Sequence, residues 1–232
     1  MTELFGQALL DYQNNCTTSE LKTWSSIAGK DVMPLKYLFR SYKNMPPIEQ
    51  KALSLCSGKV LDIGCGAGSH SLYLQKKGYN ISSLDISKGA IEVCQLRGLE
   101  KTLNQDLWQL NNLKFDTILL LMNGIGLSET LYKLPQFLNH LKNLLNKGGQ
   151  ILVDSSDIIY MYKIFEDTYD IPSDYYYGEV QFTITYKKET TQKFNWLYLD
   201  FKNLKKYSQQ VGLKCQKIQE GSHYDYLAKL SV

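Results

Sequence analysis

The chain has 232 residues, 44% of them apolar, which is enough for one α/β domain with a buried core and a modest extension. Its formal charge of +3 argues against a dedicated nucleic-acid binder, whose footprint is a basic stripe, and against a polybasic membrane patch. The longest uninterrupted aliphatic stretch, Ile118 to Met122, is far short of the ~20 residues of a membrane helix.

Met1 to Leu10 carries Glu3 and no Lys or Arg, so it lacks the basic start of a secretory signal. Residues 1–57 read as a helical cap, broken at Met45-Pro46-Pro47, with Ile48 to Leu55 a short helix leading into the main domain, 58–232. From Lys59 the pattern becomes regular. Val60 to Ile63 is a short apolar strand ending in glycines, and Ser69 to Lys77 is a helix closed by Gly78. Ile81 to Ile86 is the next strand, and Ser87 caps a helix running to about Arg97. Leu99 to Asn104 makes a third strand. Phe115 to Met122 is apolar enough for a parallel strand covered on both faces. Leu131 to Leu145 is helical, with Leu134, Leu138, Leu141 and Leu145 on one face, and Gly148-Gly149 turns the chain into a fifth strand, 150–154.

This alternation predicts right-handed crossovers, a mostly parallel sheet and ligands at the C-terminal strand ends. After Asp154 the rhythm changes. Gly178 to Lys188 and Gln192 to Leu199 alternate as a β-hairpin, so 155–199 reads as an insert that forms part of a lid. Asp200 to Val211 is a helix. Leu213 to Gln219 and Tyr224 to Leu230 form a closing strand pair around Gly221-Ser222, the first of them parallel to the rest, which makes seven strands with one antiparallel. Five cysteines, an odd count with no Cys-x-x-Cys pair, indicate neither a disulfide framework nor a zinc site; a cytoplasmic protein with reduced thiols and no metal is expected. The 17 tyrosines bunch at 160–186 and 198–226, as half-buried faces or as rings lining a pocket.

The sharpest motif is Asp62-Ile63-Gly64-Cys65-Gly66-Ala67-Gly68, between a strand and a helix, where glycines let the chain turn tightly and let a ligand approach. A dinucleotide fingerprint would want its third glycine at position 69, which is Ser69. Asp62 would repel a pyrophosphate; it suits the ammonium and sulfonium of adenosylmethionine. Asp85 ends the second strand and can accept both ribose hydroxyls, which alone would also fit NAD. Asp106 follows the third strand and can accept from an adenine amino group with Leu107 against the ring, or it is a loop carboxylate or helix cap.

The run VLDIGCGAG, then LDIS, QD, FDTILLLMNG and LNKGG, closely resembles the class I S-adenosylmethionine-dependent methyltransferases with a Rossmann-like fold, over about residues 58 to 155 and on through the final strand pair. The resemblance implies S-adenosyl-L-methionine as cofactor. It assigns Gly64, Gly66 and Gly68, with Asp62 and Cys65, to the methionyl part, Asp85 and Ile86 to the ribose, Asp106 and Leu107 to the adenine, and Asn123 with Gly124 to the meeting point of donor and acceptor. The flanks, among them Tyr37-Leu38-Phe39-Arg40 and His223-Tyr224-Asp225-Tyr226-Leu227, are similar to a narrower bacterial group of undefined acceptor.

Methyl transfer needs alignment above all, and a base only where the acceptor must lose a proton. Asn123, His223 and Tyr224 are the catalytic candidates, with a backbone-capping turn residue the alternative for His223. Tyr37, Arg40, Asp154, Tyr176 and Trp196, with Tyr42, are candidates for the acceptor wall; a structural ion pair is the alternative for Arg40. His70 reads as an exposed helix residue or a neighbour of the methionine carboxylate, and His140 as a surface residue. Gly124 and Ile125 stand where DNA and glutamine amino-methylating enzymes carry two prolines, which speaks against those acceptors. A small-molecule methyltransferase acting on oxygen or nitrogen is the leading reading. An RNA or protein methyltransferase, a non-catalytic cofactor-binding scaffold and an NAD oxidoreductase are the alternatives.

Overall fold

The computed structural model describes residues 3–232 apart from Asp167; Met1 and Thr2, at the head of the predicted cap, and Asp167, in the predicted insert, lie outside the described residues. The chain opens with α1 (Leu4–Gln13), a hairpin of β1 (Leu21–Ser25) and β2 (Gly29–Met33), the short α2 (Leu35–Leu38) and α3 (Pro47–Ser54). The expected helical cap is therefore corrected over 21–33. The Ser25 hydroxyl accepts from the Ala28 N–H at 2.9 Å, and Gly29, at φ 71°, closes a three-residue loop of the kind that joins antiparallel strands.

The alternating core follows: β3 (Lys59–Ile63), α4 (Ser69–Lys76), β4 (Asn80–Asp85), α5 (Lys88–Leu96), β5 (Thr102–Asn104), β6 (Phe115–Leu120), α6 (Leu134–Asn143) and β7 (Leu145–Ser156). The segment between 157 and 199 contributes β8 (Lys163–Phe165), β9 (Thr168–Tyr169), β10 (Glu179–Tyr186), β11 (Glu189–Thr190) and β12 (Phe194–Leu197). The chain closes with α7 (Phe201–Gln210), β13 (Lys214–Glu220) and β14 (Asp225–Ser231).

Seven strands form the main sheet in the order β13-β14-β7-β6-β3-β4-β5. The five strands from β7 to β5 pair in parallel, and β14 runs antiparallel to both of its neighbours. This is the mostly parallel sheet with one antiparallel strand that the α/β pattern predicts. The period-2 alternation of β6 divides its side chains between two layers: Ile118 and Leu120 pack with Phe137, Leu138 and Leu141 of α6, and Leu119 packs with Ala52 and Leu53 of α3 and Leu74 of α4. Each such buried leucine contributes roughly 1.5–3 kcal/mol. Ser87 caps α5 as expected, its hydroxyl accepting from the Ala90 N–H at 3.0 Å, and Asp200, expected inside the last helix, caps it instead by accepting from the Asn203 N–H at 2.9 Å.

A second sheet sits on this core. β10 and β12 form the expected antiparallel hairpin, with Val180 opposite Trp196. β10 also pairs with β1, Lys22 opposite Thr185, so the N-terminal segment and the insert build one continuous sheet. That sheet carries β12 to the C-terminal ends of the core strands, where β12 packs on the turn after β6. Among the described residues no helix is long and apolar enough to cross a membrane.

Candidate active site

The site begins where β3 ends. Gly64 and Gly68 have φ of 70° and 76°, a backbone that only glycine adopts freely. A side chain at Gly68 would also meet Leu99 at 2.6 Å and the Cys94 sulfur at 2.9 Å. The loop hangs from the neighbouring strand: the N–H groups of Gly64 and Cys65 donate to the Leu84 carbonyl at 2.9 and 3.1 Å, and that of Gly66 to Asp85 Oδ2 at 2.9 Å. The Ser87 N–H donates to Asp85 Oδ1 at 2.9 Å. Each Asp85 oxygen thus holds one backbone donor and keeps acceptor capacity for a ligand hydroxyl. Burial raises the Asp85 carboxyl above its ordinary range, and the two backbone N–H groups work against that rise.

Beside this carboxylate lies a cavity of about 480 Å³, within the range of small-molecule sites. Ile63, Gly64, Asp85 and Ile86 form one wall, Asp106, Leu107, Trp108 and Phe137 another, and Gly126, Leu127 and the 193–196 stretch close it. Of the residues the sequence points to for the cofactor, Gly64, Asp85, Ile86, Asp106 and Leu107 share this wall, joined by Trp196, expected at the acceptor. Asp106 also caps the turn behind it, its Oδ1 accepting from the Trp108 N–H at 3.0 Å, which is the cap among its two readings. Gly66 and Gly68 act as loop geometry. Cys65 points away into the cluster with Cys94, Ile91 and Leu99. The wall is mostly apolar and offers two carboxylates able to accept from hydroxyl and amino groups, an acceptor set that fits an adenosine with its ribose.

Asp62 is placed differently from the sequence expectation. It is buried at 2% exposure, accepts from the Ser71 hydroxyl at 2.7 Å and is not part of the cavity wall. The alternation of β3 explains this: Asp62 shares a face with Val60, which packs against α4, while Leu61 and Ile63 face the other way. Sequence reasoning misses Trp108, Phe137, Lys193 and Asn195 in the wall. Trp108, two residues after Asp106, carries a readable signal; Lys193 and Asn195 are set only by the hairpin register.

A methyl group on Gly126 would overlap the Trp196 indole. Gly126→Ala is therefore expected to drive Trp196 toward the cavity, with a changed tryptophan fluorescence and an adenosyl-nucleoside affinity lower by roughly tenfold, about 1.4 kcal/mol. An unchanged affinity would show that the indole has free room on its other side.

Strand ends β6 and β7 meet at Asp154. It is 5% exposed and accepts from the N–H groups of Met122 at 3.0 Å and Asn123 at 2.6 Å, two successive residues in left-handed backbone at φ 60° and 58°. Asp154 thus shapes the turn that begins with Asn123 and Gly124 and does not stand in an acceptor wall. The Asn123 side chain is equally committed: its amide donates to the Leu197 carbonyl at 3.1 Å and its oxygen accepts from the Ser155 hydroxyl at 2.7 Å. These bonds tie β12 to the turn.

Burial pushes the Asp154 carboxyl up to about 7, against the two backbone bonds that favour its charge. Between the ordinary value of 3.8 and about 7 the folded chain holds more protons at this group than the unfolded chain, so its contribution to stability falls as pH rises through that window. Asp154→Asn has no such slope. The melting temperature of the wild type minus that of Asp154→Asn should therefore decrease from about pH 4 to about pH 8; a constant difference would refute the assignment.

The remaining candidates scatter. The Arg40 guanidinium is not free for an acceptor: it is 7% exposed, donates to Glu49 Oε1 at 2.5 Å and to Oε2, and gives a third bond to the Tyr37 carbonyl at 2.7 Å. His70, expected at the surface or by the methionine carboxylate, is buried with its Nε2 at 2.7 Å from Glu49 Oε2. The Tyr37 ring lies 4.0 Å from the Arg40 guanidinium and is 42% exposed; burial raises its hydroxyl, and the charges that act on it include Asp154 and Asp225. Tyr42 stacks on Tyr73 at 4.0 Å. The Tyr176 hydroxyl donates to Asp200 Oδ2 at 2.6 Å and accepts from the Asp200 N–H at 3.0 Å, anchoring the insert at the start of α7. His223 and Tyr224 stand exposed in the β13–β14 turn, where Asp225 Oδ1 accepts from the His223 N–H at 2.8 Å and Tyr224 stacks on Tyr160 at 4.9 Å. His140 is half-buried with Nε2 at 2.9 Å from the Leu107 carbonyl, behind the cavity wall.

A family model described as tellurite resistance protein TehB matches residues 37–224. Among solved structures, the chain is similar to a crystal structure of a SAM-dependent methyltransferase from Bacteroides fragilis in complex with S-adenosyl-L-homocysteine, with 40% identity, a TM-score of 0.92, and 99% of this chain and 94% of that one covered. Curated relatives include a probable S-adenosyl-L-methionine-dependent methyltransferase TehB of Haemophilus influenzae, 29% identical over 107 residues, or 44% of this chain and 37% of the relative. A ubiquinone biosynthesis O-methyltransferase of Vibrio parahaemolyticus is 32% identical over 91 residues, or 37% of this chain and 38% of the relative. The chain spans less than half the length of these curated relatives.

Proposed function

The chain belongs to the TehB family of S-adenosylmethionine-dependent methyltransferases, and from that premise we propose that it moves a methyl group to an oxygen or nitrogen of a small molecule by in-line displacement. One observation carries the reading: Gly64, Asp85 and the Asp106–Leu107 pair, spread over more than 40 residues of sequence, line one cavity at the C-terminal ends of adjacent parallel strands. When bound, S-adenosylmethionine supplies a methyl carbon made electrophilic by its sulfonium. Asp85 holds the ribose hydroxyls, Asp106 and Leu107 the adenine, and the glycine loop takes the methionyl part. The turn at Asn123 and Gly124, shaped by Asp154, sets the place where donor and acceptor meet. Trp196 and its strand exclude water over the nucleoside, which favours loss of the sulfonium charge on transfer.

The acceptor enters between that turn and the exposed aromatic rings of Tyr37, Tyr160 and Tyr224, surfaces suited to a flat or apolar small molecule. His223 and Tyr224 sit at the rim and act on the acceptor only where it must lose a proton. Five cysteines without framework spacing suit a reducing compartment, and the cytoplasm is the proposed location. The test is calorimetric titration with S-adenosylmethionine, S-adenosylhomocysteine and NAD, followed by S-adenosylhomocysteine release with a panel of hydroxyl and amine acceptors. Binding of both sulfur nucleosides, without NAD, is expected. Failure of both to bind overturns the reading.

A further inference from the structure

Two thiols meet directly behind the cofactor loop. Cys65 stands between Gly64 and Gly66, and its sulfur lies 3.7 Å from that of Cys94 on α5. The Cys94 thiol donates to the Gly66 carbonyl at 3.3 Å. Cys65 is 7% exposed and Cys94 is fully buried, and nothing in methyl transfer uses either sulfur. We propose that this pair is an oxidative modification site, at which a peroxide closes the two thiols into an intramolecular disulfide that pulls the glycine loop from Asp85 and weakens cofactor binding. The proposal rests on the reading of the cavity as the cofactor site.

The chemistry balances in two steps. One thiol sulfur attacks the peroxide O–O bond, giving a sulfenic acid and, with hydrogen peroxide, one water; the second thiol displaces hydroxide from the sulfenic sulfur, forming the S–S bond and a second water. The peroxide takes the two electrons. Geometry makes the pair consequential. The sulfurs must close from 3.7 Å to about 2.05 Å. α5 is held by its packing on α1 and β4, whereas Cys65 has a flexible glycine on each side, so the loop moves. Its movement breaks the Gly66 N–H bond to Asp85 Oδ2, at 2.9 Å, and shifts Gly64 in the cavity wall.

The contact with Cys94, and burial, hold the Cys65 thiol protonated well above its ordinary range. The closed pair is therefore slow to react, and oxidation takes place when the loop opens. A bound nucleoside keeps the loop closed and should protect the pair.

The experiment treats the reduced protein with hydrogen peroxide, with and without S-adenosylhomocysteine, blocks the remaining thiols with iodoacetamide and maps peptides by mass spectrometry. Exposed Cys16 reports whether the oxidant acted. Affinity for S-adenosylhomocysteine is measured before oxidation, after it, and after dithiothreitol. The expected result is a 65–94 crosslink, slowed by the nucleoside, with a loss of affinity of at least roughly tenfold that dithiothreitol restores. Cys94→Ser, or Cys94→Ala should that fold better, should keep its affinity through peroxide. Absence of the crosslink while Cys16 oxidises, or a crosslink with unchanged affinity, overturns the proposal. If the reduced protein itself fails to bind the nucleoside, the cofactor reading fails and takes the switch with it; failure confined to the oxidised arm sinks the switch alone.

Discussion

Asp85→Ala is expected to weaken S-adenosylhomocysteine binding by at least ~100-fold. Two ribose hydroxyls on one carboxylate are charge-assisted hydrogen bonds, worth roughly 1.5–3 kcal/mol each, and ~3 kcal/mol already exceeds a hundredfold in affinity. The substitution has a second cost. It frees the Gly66 and Ser87 N–H groups that Asp85 now accepts from at 2.9 Å, so the glycine loop loses its tie to β4. Asp85→Asn separates the two effects. It keeps an acceptor oxygen for one backbone group, loses the charge and turns an amide donor toward the other, so its affinity should fall between wild type and alanine. The melting temperature, measured on the same samples, distinguishes a damaged site from a damaged fold. Burial already raises the Asp85 carboxyl, so removing the charge also relieves a desolvation penalty, and the loss of stability should be modest beside the loss of affinity. A variant that binds within about threefold of wild type would remove Asp85 from the ribose site and the adenosine from this cavity.

The core sheet was legible because its signals are local and repeated. Short apolar strands, glycine stops and a cap such as Ser87 recur in step, and each fixes an element boundary without help from distant residues. The cavity was legible for a related reason: in a parallel sheet the residues that end or closely follow a strand are carried to a known edge, so Asp85 at the end of β4 and Asp106 just past β5 follow from their place in the alternation. Asp62 shows the limit of that logic. It stands one residue before the end of β3, and that parity sends its carboxylate to α4 and Ser71.

What sequence could not supply depends on long-range pairing. The β1–β2 hairpin had a turn signal in Ser25 and Gly29, but its strands, Leu21–Ser25 and Gly29–Met33, carry too few β-branched residues to stand out, and β1 finds its partner β10 some 160 residues later. Trp196 reaches the cavity beside Asp85 for the same reason, since the register opposite Val180 and the bare surface of Gly126 decide where its indole lies. Asn123 looked available because a polar residue near a predicted site invites a ligand, but its side chain has already found protein partners. Arg40 takes its alternative reading, a structural ion pair, and His70, read as exposed or beside the methionine carboxylate, is buried against the same Glu49, since buried polar groups must be partnered.

The second large effect concerns stability. Glu49→Ala is expected to cost about 3–5 kcal/mol, since it leaves the charge of Arg40 buried without its partner and strips His70 of its acceptor. For a chain of this size each kcal/mol moves the melting temperature by roughly 2–4 °C, so a drop on the order of 10 °C should be seen. The carboxylate is 3% exposed; burial alone would raise its pKa, but His70 and then Arg40 outweigh that and hold it below its ordinary range. A lowered carboxyl contributes stability above its unfolded value and loses it as pH falls, so the gap between wild type and Glu49→Ala should shrink on acidification below about pH 4.5. Through His70, Glu49 clamps α3 and the Arg40 segment onto α4, the helix that starts at the glycine loop, and yet among the described residues Arg40 Nε has no hydrogen-bond partner. An ion pair with an unsatisfied donor is a poor source of net stability, so the double variant Arg40→Met with Glu49→Leu should recover the part of the loss that comes from the buried Arg40 charge, while His70 stays without its acceptor in both variants. A cost below about 1 kcal/mol for the single variant would mean that water reaches these groups, as for an exposed pair. A double variant as unstable as the single one would mean that the clamp, and not the buried charge, carries the energy.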